Sequence, residues 1–210
     1  NGKMGQPKTK INSEAPAALT ETLRAALAAQ QGLGDTPALD FRSTPSIRQY
    51  LTRENLDELA HRGTATPDHV IRIKPFSMIL NAEDGAEEIA QALADYADRY
   101  RAYFDRNAPH AQEEKVMLDP LPRSVLVRGV GLYGLGANEK SAKIAGDLLE
   151  QTTRIVNAAE DYNRFTPLAE ADLFDEGAQV GEGGFQGAHG RVVILAVLAS
   201  RPQKDAIYSG

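Results

Sequence analysis

Between Arg62 and Lys74 the chain reads Arg-Gly-Thr-Ala-Thr-Pro-Asp-His-Val-Ile-Arg-Ile-Lys, with seven polar or ionisable side chains around one glycine and one proline. Arg62, Arg72 and Lys74 supply cationic donors, Thr66 and Asp68 short oxygen groups, and His69 an imidazole that can donate or carry a proton. Together Arg62, Thr66, Asp68, His69, Arg72 and Lys74 suit an anionic small molecule. The same residues also admit a structural role: Thr66 and Asp68 can satisfy local N–H groups while His69 covers an edge. Val70, Ile71 and Ile73 predict a strand extending from Val70 towards Leu80. On such a strand His69 and Arg72 face opposite sides, and Lys74 sides with Arg72. That alternation counts against one site using all of them.

Gly129-Val-Gly-Leu-Tyr-Gly134 matches the glycine spacing of a dinucleotide-binding turn and follows a strand-like stretch. Such a turn requires the helix to begin inside the motif, so that its amino terminus meets the pyrophosphate. Here Leu135 and Gly136 intervene before Asn138, where the helical pattern starts. A tight hairpin, with glycines where backbones approach closely, fits better. The histidines, His61, His69, His110 and His189, form no His-x-His pair and no i, i+4 pair on a helix, so no metal ligand set is nominated. No nucleophile can be paired with His69, so no catalytic residue is nominated either.

These groups must be positioned by alternating helices and strands. Leu19, Leu23, Ala26 and Leu27 fall on one helical face after Pro16, and Gly32-Leu33-Gly34 ends that helix. Ala38–Phe41 predicts a short strand, Thr44-Pro45 a helical turn, and residues 53–60 another short helix. The clearest helix spans residues 83–106, with Ile89, Leu93, Tyr96, Ala97, Tyr100 and Phe104 as its apolar stripe. Acidic residues at its start and arginines near its end complement the helix dipole. Val116–Leu118 and Ser124–Val127 predict core strands separated by a Pro120/Pro122 turn. Asn138 caps a second long helix. Long helices alternating with short strands predict a layered α/β architecture. Residues 1–15 read as a flexible lead-in, residues 16–175 as the folded domain, and 176–210 as a Gly-rich linker and tail. Within that tail, residues 191–200 predict a strand with nothing obvious to pair with.

Composition narrows the function classes. The chain has 210 residues, enough for a sizeable core, and 42% hydrophobic with 25% charged residues argues for a folded domain. A net charge of −6 supplies no basic footprint for nucleic acid. No apolar run approaches the roughly 20 residues a membrane span needs. Cysteine is absent, which removes disulfides and thiolate chemistry and fits a reducing, cytoplasmic setting. The chain opens on Asn1 and is expected to be part of something longer.

Four segments carry a resemblance. Residues 62–72, Leu118-Asp-Pro-Leu-Pro-Arg123, Gly129-Val-Gly-Leu-Tyr-Gly-Leu-Gly136 and Leu168-Ala-Glu-Ala-Asp-Leu-Phe-Asp175 resemble the class II aldolase/adducin family. The closest likeness is to its bifunctional branch, which joins a rhamnulose-1-phosphate aldolase-like region to a short-chain dehydrogenase. The resemblance implies a layered α/β domain around a β-sheet. It also implies cleavage of a phosphorylated ketose, with histidine-held zinc stabilising the enediolate as a Lewis acid, and a fused dehydrogenase using a nicotinamide cofactor such as NAD. The family's zinc histidines lie in His-x-His and Asn-His-Gly signatures, and neither occurs here. Residues 127–134 resemble a degenerate second copy of the Asn-His-Gly strand-turn, with Gly129 where histidine would stand. No zinc ligand therefore transfers, and the dehydrogenase fingerprint is missing. The chain is expected to be the later part of the aldolase-like region, without zinc or NAD of its own. It would work with missing segments of the same protein or as a homo-oligomer. The alternatives are a non-catalytic module that binds a phosphorylated ligand or partner chain, and a nucleotide-binding oxidoreductase resting on Gly129, Gly131 and Gly134.

Overall fold

Two buried central strands, residues 124–127 and 131–136, organise the molecule, and their alternation sorts its core into two layers. The computed structural model describes residues 14–111 and 115–177. In chain order the elements are α1 (Ala17–Ala28), β1 (Ala38–Arg42), α2 (Pro45–Leu51), α3 (Leu56–Arg62), α4 (Pro67–Ile73), β2 (Met78–Leu80) and α5 (Ala86–Asn107). There follow β3 (Ser124–Val127), β4 (Gly131–Gly136), α6 (Glu139–Tyr162) and α7 (Glu170–Gly177). The sheet order is β1-β4-β3-β2, antiparallel except for the parallel β2/β3 pair. β3 and β4 are central and buried along their whole length.

Side chains alternate across the sheet. Val125, Val127, Tyr133 and Leu135 point into one layer with Leu19, Leu23 and Leu27 of α1 and Ile89, Leu93, Tyr96 and Tyr100 of α5. Leu126 and Leu132 point into the other, with Ile47, Leu56 and Leu59 and with Ala145, Leu149 and Val156 of α6. The domain is thus a helix–sheet–helix sandwich of the α/β class. Each end of α6 is fixed by chemistry rather than packing alone. The Asn138 side chain accepts a hydrogen bond from the Ser141 N–H at 2.9 Å, satisfying an orphan donor of its first turn. At the other end, the Asn157 Oδ1 accepts from Arg53 Nε at 2.9 Å, tying α6 to the turn after α2.

Two strand expectations need correction. Residues 70–80 are not one strand: α4 occupies Pro67–Ile73, and only Met78–Leu80 is extended. Thr66 is extended at the N-cap and Pro67 follows at the first helical position, where proline is favoured. Val70 and Ile73 are buried three residues apart, a helical spacing that the run of β-branched residues disguised as alternation. The Val116–Leu118 segment also makes no strand. β3 already has β4 on one side and β2 on the other, so it offers no free edge, and Val116 and Met117 are exposed. The lead-in and the expected linker and strand beyond Gly177 lie outside the described residues. Among the described residues no helix is long and apolar enough to cross a membrane.

Candidate functional site

The six nominated residues 62–74 are dispersed by the α3–α4 turn rather than gathered into one pocket. Arg62, at the last position of α3, donates from Nη1 to Glu160 Oε1 at 2.5 Å and to the Phe165 carbonyl at 2.9 Å, and Nη2 lies 2.9 Å from Glu58. Arg62 therefore fastens α3 to the end of α6 and to the chain that leads to α7. Glu160 also accepts from the Phe165 N–H at 2.7 Å. These donors hold its carboxyl below the usual carboxylate range although burial opposes them. Thr66 Oγ1 meets His69 Nδ1 within the first turn of α4. Asp68 and Arg72 are exposed on the same helix.

His69 is only 4% exposed, and its Nε2 is buried without a hydrogen-bond partner. Burial pushes the imidazole below its ordinary value, against the pull of Asp68 and Gln151.

Lys74 is the more unusual group. It ends α4 with φ 62° and ψ 172°, a region that favours glycine, and its side chain is 3% exposed. Nζ donates to the carbonyls of Asp119 and Leu121, the latter at 2.7 Å, and lies 4.1 Å from the centre of the Tyr100 ring. Asp119 in turn pairs with Arg123. Burial and the nearby Arg123 push Lys74 down to about 7, partly offset by Asp119. The space beside it, lined by Val70, Tyr100, Tyr103 and Leu118, measures about 10 Å³, too small for a substrate. Lys74 binds the α4 terminus to the loop that feeds β3. Sequence reading missed its partners, although Asp119 and Arg123 stood out within the Pro-flanked segment.

The glycine run forms a hairpin, not a strand-to-helix turn. Gly129 sits in the turn with φ +67°, and β3 and β4 pair antiparallel from Ser124↔Gly134 to Val127↔Gly131. A Cβ on Gly134 would stand 2.2 Å from the Gly146 nitrogen, and one on Gly136 would stand 2.4 Å from the Ala142 nitrogen. These glycines let α6 lie directly on the sheet. Beside them Arg42 of β1 grips Asp40 at 2.7 Å, Asp147 at 2.7 Å and Glu150 at 3.1 Å.

Two clefts flank the sheet. One of about 170 Å³ follows the outer edge of β2, between α3 and α5, and carries Asp57, His61, Asp95 and Arg99. Another of about 650 Å³ lies by the edge of β1 and is lined by Arg24, Asp40, Asn138, Glu139 and Lys143. The first was not visible in sequence, because its charged groups come from two helices that only the fold brings together.

The family described as "Aldolase class II, second domain" matches residues 14–176, more than half of the chain. The chain belongs to this family. Among curated proteins it is 23% identical over 143 residues to the "Uncharacterized oxidoreductase YuxG" of Bacillus subtilis, across 65% of this chain and 20% of that protein. It thus spans a fifth of that relative's length. Among solved structures it is similar to YgbL of Klebsiella pneumoniae, provisionally described as an aldolase/epimerase/decarboxylase. That likeness has a TM-score of 0.49, 18% identity, and covers 74% of this chain and 63% of that one. YgbL of Escherichia coli matches at a TM-score of 0.49 and 14% identity, over 74% of this chain and 64% of that one.

Among the described residues of this class II aldolase second domain the side chains gather no set that fits a catalytic zinc ion. Such a site needs several His or carboxylate ligands converging on one point. Among the described residues no three His, Asp or Glu side chains gather in that way. His61 lies by the β2 cleft, His69 is packed within α4 with one nitrogen committed to Thr66, and His110 closes the turn after α5.

Proposed function

We propose that this chain is the second half of the aldolase region of a longer sugar-phosphate aldolase, joined there to a nicotinamide-dependent short-chain dehydrogenase. The observation that carries the reading is the match of residues 14–176 to a family described as a second domain. It is supported by the relative named an oxidoreductase, of which the chain spans 20%. In such a protein the zinc that stabilises the enediolate of a rhamnulose-1-phosphate-like ketose is held by histidines outside this chain. NAD binds in the dehydrogenase portion. The role of this domain is to complete and brace the aldolase region, with the histidine-bearing segment of the same polypeptide as its partner. We place the protein in the cytoplasm, where its cysteine-free composition is at home.

Retro-aldol cleavage of rhamnulose 1-phosphate tests the reading, measured by coupled reduction of dihydroxyacetone phosphate. The chain alone should show no turnover above buffer, and the polypeptide extended by its histidine-bearing segment should cleave the ketose. Zinc-dependent turnover by the isolated chain would overturn the proposal.

A further inference from the structure

We draw no further inference here: the strongest candidate, the cleft of about 650 Å³ between the outer edge of β1 and the start of α6, rests on a helix N-terminus flanked by charges of both signs, and nothing in the structure shows what covers it.

Discussion

The glycine hairpin of β3 and β4 and the polar α3–α4 segment both look like ligand-binding motifs, and they differ in how their residues are used. In the hairpin the missing side chains do the work. Gly134 and Gly136 remove the atoms that would hold α6 off the sheet, and Arg42 then reaches Asp147 and Glu150 of α6 across the contact while holding Asp40 of its own strand. In the α3–α4 segment four polar groups have each found a protein partner: Arg62 has Glu160, Thr66 has His69, and Lys74 has the carbonyls of Asp119 and Leu121. Asp68 and Arg72 are left to solvent. A dense cluster in sequence is therefore not a cluster in space, because a helix and its turns send neighbouring residues to different neighbours.

Substitutions can break this contrast. Gly134→Val should have the largest effect, because its Cβ meets main chain that cannot move aside. A loss above about 3 kcal/mol is expected, read as a shift in the urea midpoint. Gly129→Ala, in open space but at φ +67°, should cost only about 1 kcal/mol in the same measurement. Equal losses at the two glycines would remove the close-packing explanation.

Arg62→Ala should come next, near 3 kcal/mol, because it leaves the largely covered Glu160 carboxylate with neutral donors and no cation. Glu160 is held below its unfolded value, so its contribution is present above the unfolded carboxylate range and is lost as pH falls through the folded value. The wild-type protein should therefore lose stability in acid more steeply than Arg62→Ala, followed by circular dichroism across an acid titration.

Lys74→Met should cost about 1–3 kcal/mol at pH 6 by orphaning two carbonyls, and its signature lies in pH. The folded lysine releases its proton near 7, while the unfolded chain keeps it to about 10.5. Between these values the unfolded state binds more protons, so wild-type stability should rise with pH, at most by about 1.4 kcal/mol per unit. Denaturation midpoints at pH 6, 8 and 9 should show that rise in the wild type and not in Lys74→Met. The smallest effects belong to Asp68→Asn and Arg72→Gln, each within about 0.5 kcal/mol, since both side chains are exposed.

Much of the scaffold was legible because its signals are local. The Leu19, Leu23, Leu27 stripe and the Ile89, Leu93, Tyr96, Tyr100 stripe lie where helical periodicity puts them, and Asn138 caps α6 as its spacing from Ser141 suggests. The late start of the helical pattern at Asn138, which ruled against a strand-to-helix turn, also pointed to the hairpin. α4 was misread because Ile71 and Ile73 fit strand alternation as readily as Val70 and Ile73 fit a helix, and β-branched residues tipped the balance the wrong way. Thr66-Pro67 was the helix-start signal that could have decided it. The Lys74 knot was out of reach, since its carbonyl partners lie 45 and 47 residues away. His61 and Arg99 likewise meet only because α3 and α5 flank the same strand edge.

The central claim is that the side chains of this second domain do not build the metal centre of an aldolase. Calorimetric titration of the whole 210-residue chain with zinc, after stripping with a chelator, tests it most directly. The account predicts no saturable one-to-one binding tighter than the millimolar range. A single zinc ion bound per chain with sub-micromolar affinity, lost on substitution of its histidines, would contradict it.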